Sequence, residues 1–283
     1  MIIAVVGPTA VGKTKLSVEL AKKYNAIIIN ADSTQVYKGM DIGTAKVLEE
    51  EKEGVEHLLF DIVDITTNYT VFDYQRDVRE LLAKYHNRNI IFVGGTGLYL
   101  KAALYNYEFL EEEVSACNFE DKTNEELYEL ALKKDPNMNI HVNNRKRLVR
   151  FLNKKSGENA PCYPLYDAIF VGLTTERARL YERIDKRCDE MFASGLVEEV
   201  RGLYKEGLES KALATAIGYK EIISYFKGEI TLEEARELIK KNCRHYAKRQ
   251  YTWFKNQMPV TWFQVNFDDF NKTIDDVEKF LDS

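Results

Sequence analysis

The stretch Ile2-Ile3-Ala4-Val5-Val6-Gly7-Pro8-Thr9-Ala10-Val11-Gly12-Lys13-Thr14 decides the fold. Its first five residues are an apolar run of strand length, and the next eight form a complete phosphate-binding loop. The glycines let backbone N–H groups close around an anion. Lys13 adds a positive charge, and the Thr14 hydroxyl is of the kind that ligates Mg²⁺. Residues 15–24 read as a helix, whose positive N-terminal end also faces the anion. Strand, glycine loop and helix in that order predict a parallel sheet with phosphates bound at one end. Which molecule carries the phosphates is not written in the loop.

Working outward, Ala26–Asn30, Asn89–Val93, 168–173 and 260–265 are further short apolar runs. Helix-like segments separate them. Residues 71–86 are amphipathic, with Val78, Leu81, Leu82 and Tyr85 as the apolar stripe. Alternating strands and helices predict an α/β fold with helices on both faces of a parallel sheet. In such sheets ligands sit beyond the carboxyl ends of the strands. Three segments fall there: the phosphate loop, Asp32-Ser33-Thr34-Gln35, and Gly94-Gly95-Thr96-Gly97. The predicted division is residues 1–104 as the first part of the core, 105–166 as a mainly helical insertion, and 167–283 as completion of the core. The last part is largely helical and charged. Within the insertion, Asn124–Lys134 reads as a helix, and residues 271–281 read as a closing helix.

A chain of 283 residues with 45% hydrophobic and 30% charged residues has the composition of a globular protein with a large core. No apolar stretch approaches membrane-spanning length. The N-terminal strand feeds the phosphate loop, which argues against a cleaved signal peptide, and the cysteines without paired spacing argue for a cytoplasmic location. Cys117, Cys162, Cys188 and Cys243 show no paired spacing and read as reduced thiols. The four histidines are scattered, which argues against a zinc site.

The net charge of −5 hides an uneven distribution. Residues 141–150 carry Arg145, Lys146, Arg147 and Arg150 with no acid. Residues 240–255 carry Lys240, Lys241, Arg244, Lys248, Arg249 and Lys255, again with no acid. Acidic residues gather elsewhere, at 49–53 and 108–113. Two clean basic stretches are the pattern of a local electropositive groove for nucleic acid, although a charged helix face is commonly just solvated.

Three residues at the strand ends carry chemistry. Asp32 reads either as a turn or helix cap, or as a general base or ligand of a metal-bound water. Gln35, three residues on, has the donor and acceptor needed to read a base edge. The glycines around Thr96 permit close approach to a ligand and place its hydroxyl toward the pocket.

Taken together these residues resemble the tRNA dimethylallyltransferases. The resemblance rests on Gly7 to Thr14, Asp32-Ser33-Thr34-Gln35-Val36-Tyr37 and Gly39-Met40-Asp41-Ile42-Gly43-Thr44-Ala45-Lys46. It extends through residues 93–99, Ile217-Gly218-Tyr219-Lys220-Glu221 and Ala247-Lys248-Arg249-Gln250-Tyr251-Thr252-Trp253. The motifs follow the family order along almost the whole chain. The resemblance implies a P-loop NTPase-like parallel sheet flanked by helices, with a mainly helical insertion and a helical tRNA-binding region. It also implies transfer of a dimethylallyl group from dimethylallyl diphosphate to N6 of the adenine just 3′ of a tRNA anticodon. Gly7, Pro8, Thr9, Ala10, Val11, Gly12, Lys13 and Thr14 would hold the diphosphate, with Mg²⁺ on Thr14. Asp32, Thr96 and Lys13 would be catalytic. Asp32, Ser33, Thr34, Gln35, Thr96, Lys146, Arg147, Arg150, Arg244, Lys248 and Arg249 would contact the anticodon stem-loop. No membrane and no obligate protein partner is expected. The residues leave three alternatives: a P-loop kinase of a nucleoside or metabolite, an isopentenyltransferase of free adenine nucleotides, and a non-enzymatic nucleotide-dependent RNA-binding module. The kinase would need lid arginines that residues 34–46 lack. The second would not need the two basic stretches. Asp32 and Thr96 at the strand ends argue against the third.

Overall fold

The computed structural model describes residues 1–109, 119–153, 162–205 and 210–283. Cys117 and most of the acidic run at 108–113 lie outside them. Six parallel strands form one sheet in the order β3-β2-β4-β1-β5-β6. They are β1 (Ile2–Val6), β2 (Ala26–Asn30), β3 (His57–Leu58), β4 (Asn89–Val93), β5 (Ala168–Thr174) and β6 (Val260–Gln264). Five coincide with the apolar runs. The sixth, β3, is only two residues long and carries no period that a sequence reading detects.

The register aligns Ile28, Ile91, Ile3 and Ile169 in one row across four strands. Strand side chains alternate between the two faces, so the apolar runs feed two cores. Ile3, Val5, Ile28, Ile91, Val171 and Leu173 join one cluster; Ala4, Val6, Ile27, Ile29, Phe92 and Phe170 join the other.

Eleven helices surround these elements among the described residues: α1 (Lys13–Tyr24), α2 (Val71–Lys84), α3 (Gly97–Leu104), α4 (Asn124–Lys134), α5 (Arg145–Leu152), α6 (Arg177–Ala193), α7 (Leu196–Lys205), α8 (Lys211–Thr215), α9 (Tyr219–Phe226), α10 (Leu232–Gln257) and α11 (Phe270–Leu281). Helix α2 is started by a reciprocal cap in which Thr70 and Asp73 satisfy each other's backbone N–H. It buries Tyr74, Val78 and Leu82. Helix α10 places Ala235, Ile239 and Ala247 in the first core and Phe254 in the second. It therefore passes from one face of the sheet to the other. None of the described helices is long and apolar enough to cross a membrane.

The chain divides into two compact units, residues 1–106 with 164–283, and residues 107–163. The first contains the whole sheet. The second holds α4 and α5, packed through Leu127, Ala131 and Leu148. Thr123 and Glu126 cap α4 reciprocally. Arg145 is used internally, donating to the carbonyls of Phe119 and Lys122.

Candidate active site

The site is built from the loop after β1. Gly12 ends that loop at φ 92°, a left-handed conformation that costs glycine little, and it starts α1. Lys13 follows at once and folds back, donating from Nζ to the carbonyls of Gly7 at 3.1 Å and Pro8 at 2.7 Å. Burial, with the Arg187 cation acting in the same direction and Asp32 opposing, pushes the Lys13 ammonium down to about 7. A phosphate group arriving here would supply the negative charge that the lysine lacks.

At the end of β2, the fully buried Asn30 secures Asp32 at both backbone atoms. Its Oδ1 accepts from Asp32 N–H at 2.9 Å, and its Nδ2 donates to the Asp32 carbonyl at 3.0 Å. Asp32 Oδ1 accepts from the Thr34 N–H at 2.9 Å and from its hydroxyl at 2.7 Å. The capping and the chemical readings of Asp32 are thus compatible: the turn orients a carboxylate that lines the cavity. Gln35 also lines it, but its Nε2 donates to the Thr44 and Ala45 carbonyls at 3.0 and 3.3 Å.

Thr96, after β4, accepts the Ser33 N–H on its hydroxyl at 3.0 Å and donates to the Ser33 hydroxyl at 3.3 Å. It thereby ties the β4 loop to the residue beside Asp32. The glycines around it are needed for close packing against protein. A Cβ on Gly94 would overlap the Ala31 backbone, one on Gly95 the amide of Gln250, and one on Gly97 the ring of Trp253.

These ends enclose a cavity of about 480 Å³. Thr9, Ala10, Gly12, Lys13 and Thr14 line one part; Asp32, Ser33, Thr34 and Gln35 line another. Tyr246, Arg249 and Gln250 reach it from α10. Burial and the Asp32 carboxylate push the Tyr246 phenol well up, so it stays protonated.

Sequence reading missed the arginines of α6. Arg187 lines the cavity and is driven down by burial; it donates to Thr9 Oγ1 at 3.3 Å and to the Ala45 carbonyl at 3.4 Å. Arg183 donates to the Ala10 carbonyl at 2.9 Å and lies over the Phe267 ring. Their spacing of four residues puts both on one helix face, and that was the available signal.

The basic stretches are altered by folding. Lys240 pairs with Asp189 and Glu237, and Arg244 pairs with Asp185. Lys248 and Arg249 are exposed. In the smaller unit Lys146, Arg147 and Arg150 are exposed on α5. Cys188 and Cys243 come together although nothing in their spacing pairs them. Their thiol hydrogen bond holds Cys188 low, and Cys243 is pushed up by that bond and by burial.

No group of three or more His, Cys, Asp or Glu side chains among the described residues is arranged to hold a metal ion. Mg²⁺ usually takes only one or two protein oxygens and completes its shell with substrate phosphates and water. Thr14 and Asp32, both lining the cavity, fit that smaller requirement.

Against this geometry stands a family comparison: the model of the IPP transferases matches residues 35–257. The chain belongs to the IPP transferase family. A tRNA dimethylallyltransferase of Bacillus subtilis is 45% identical over 284 residues, covering 93% of this chain and 90% of that protein. One from Anoxybacillus flavithermus is 42% identical over 298 residues, covering 99% and 96%. The solved full-length tRNA isopentenylpyrophosphate transferase of Bacillus halodurans superposes with a TM-score of 0.77 at 40% identity, covering 99% of this chain and 95% of that one. A eukaryotic dimethylallyltransferase, solved as crystallographic snapshots acting on tRNA, gives a TM-score of 0.78 at 26% identity, covering 99% and 79%.

For this IPP transferase the structure explains two motifs that lack obvious chemistry. The N–H groups of Asp41, Ile42 and Gly43 all donate to the Glu199 carboxylate, at 3.0, 2.7 and 3.1 Å. Tyr219 donates to the same carboxylate at 2.6 Å. Lys46 is buried and held by Asp41, Asp61 and the Tyr37 carbonyl. Residues 41–46 and 217–221 are therefore mutually anchored walls of the cavity.

Proposed function

We infer that this chain transfers a dimethylallyl group from dimethylallyl diphosphate to N6 of the adenine 3′-adjacent to a tRNA anticodon. The observation that carries the reading is one cavity lined by both a phosphate loop and a fixed carboxylate. A kinase would keep the phosphates and move one of them. Here the loop would hold a diphosphate that leaves.

In the reaction the C1–O bond to the diphosphate breaks and the N6–C1 bond forms. The electron pair departs with the diphosphate, and the N6 proton passes to a base. Lys13 and Arg187 face the growing negative charge of the leaving group, where fixed cations in a poorly hydrated site are most effective. Mg²⁺ on Thr14, with Asp32 nearby, would add Lewis-acid neutralisation of the same charge. Asp32 accepts the amine proton, and an exocyclic adenine amine is a weak enough nucleophile to need it. The Gln35 side chain bounds the acceptor side; Thr96, which does not line the cavity, supports it from behind by holding Ser33. A stacked base cannot enter such a cavity, so the adenine is flipped out of the loop. Lys248 and Arg249, and on the smaller unit Lys146, Arg147 and Arg150, are suited to phosphate contacts that position the RNA.

The test is incubation with labelled dimethylallyl diphosphate and ATP, with either tRNA or AMP as acceptor. Label in tRNA is expected. Label in AMP, or consumption of ATP by phosphoryl transfer without prenylation, would overturn the reading.

A further inference from the structure

Helix α10 reaches the strand ends with one polar side chain that ties together two loops of different duty. Gln250 is 5% exposed. Its Oε1 accepts from Thr9 N–H at 3.1 Å, and its Nε2 donates to the Gly95 carbonyl at 3.2 Å. One partner is a donor and the other an acceptor, so the amide orientation is fixed by chemistry. Thr9 belongs to the phosphate loop and its hydroxyl takes Arg187. Gly95 precedes Thr96, whose hydroxyl holds Ser33 next to Asp32. The lack of a side chain at Gly95 leaves the room that the Gln250 amide fills. Arg249, beside Gln250 in sequence, lines the cavity, and Lys248 is exposed.

We propose that Gln250 is a positioning residue for the transfer. It sets the separation between the diphosphate loop and the acceptor loop, and it makes that separation depend on the seating of α10, the helix that carries Lys248 and Arg249. It lines the cavity, but its amide oxygen and nitrogen are engaged by Thr9 and Gly95, and it acts through them. The inference rests on the prenyl-transfer reading above. Its physical basis is the steepness of reaction rate with geometry: a displacement of about 1 Å costs roughly 100-fold.

Two variants test it in the full chain. Gln250→Ala removes the hydrogen bonds to Thr9 and Gly95 and the contact with the Tyr246 phenol. Its kcat should fall by about 10- to 100-fold while KM for tRNA and for dimethylallyl diphosphate stays within about threefold, because the loss falls on alignment rather than on binding. Gln250→Glu keeps the size and still accepts from Thr9. Its ionised form cannot donate to the Gly95 carbonyl, but its acid form can. The ratio of variant to wild-type kcat should therefore rise as pH falls from about 8 to about 6, with the carboxyl buried and titrating high. Lys13, Asp32, Arg187, Tyr246 and Arg249 face the same cavity and influence that titration; both proteins carry them, so their own effects on rate largely cancel in the ratio. A side chain that merely fills space gives a flat ratio.

A wild-type kcat in Gln250→Ala, or a flat ratio in Gln250→Glu, overturns the inference. If Gln250→Ala does not fold, the ratio alone decides. Wild-type protein that labels no tRNA overturns the functional reading and this inference with it, whereas failure confined to the variants' predicted behaviour overturns the inference alone.

Discussion

Burial and the Arg187 cation outweigh Asp32 and push the Lys13 ammonium down to about 7. It is therefore charged below that value and loses its proton above it. A bound diphosphate favours the charged form and raises the pKa again, so binding above neutrality takes up a proton. Affinity for dimethylallyl diphosphate should fall with rising pH above about 7, by up to roughly tenfold per unit, while below it this group contributes no slope. Calorimetric titrations from about pH 6 to about pH 9 check this. Lys13→Arg, which stays charged throughout, should lose that part of the slope and leave only the ligand's own titration. Asp32 makes the second prediction at this scale. Asparagine at that position retains an oxygen for Thr34 but cannot take a proton. Asp32→Asn should keep tRNA affinity within about threefold and lower turnover by about 10²–10⁴-fold. Single-turnover rates with enzyme in excess are the measurement, and a near-normal rate would reduce Asp32 to a turn-forming residue.

Residues 240–255 of helix α10 read in sequence as a basic stretch with no acid, and packing against α6 changes it. Asp185 engages Arg244 and Asp189 engages Lys240, so those cations are already partnered. The share of salt-dependent RNA binding that this helix carries should then fall on Lys248 and Arg249. Removing one phosphate-binding cation lowers the slope of log affinity against log salt by about one. Lys248→Ala with Arg249→Ala should flatten the slope by about two. Arg244→Ala should leave it nearly unchanged and lower the melting temperature, because Asp185 loses its partner. Filter-binding across a salt series, with melting curves for each variant, separates these outcomes. Equal slopes in wild type and in Lys248→Ala with Arg249→Ala would remove this helix face from RNA binding.

The whole molecule places its cavity within the unit formed by residues 1–106 and 164–283. Ligand binding should stabilise that unit by mass action. At about 100 times Kd the gain is about 2.7 kcal/mol, which for a unit of this size raises the melting temperature by several degrees. Dimethylallyl diphosphate alone should produce that shift and slow amide hydrogen exchange in the sheet and α1. Exchange in α4 and α5 should be unchanged, since the cavity has no residue from them. Lys13→Ala should abolish the shift. An equal shift in Lys13→Ala would place the diphosphate somewhere other than the phosphate loop.

Much of this architecture follows from the sequence by itself. The five longer strands are contiguous apolar runs, α2 and α4 carry their own caps, and the phosphate loop is complete within residues 7–14, because each depends on neighbours a few residues away. The motifs around Asp32 and residues 41–46 likewise point to the family, although their mutual anchoring through Glu199 cannot be read from them. Only the tertiary structure decided which charges act. Arg187 bonds Thr9 across 178 positions of chain, Gln250 bonds it across 241, and Asp185 engages Arg244 from 59 positions away. Pairing and desolvation are set by distance in space and by burial, and neither is encoded in the local order of residues.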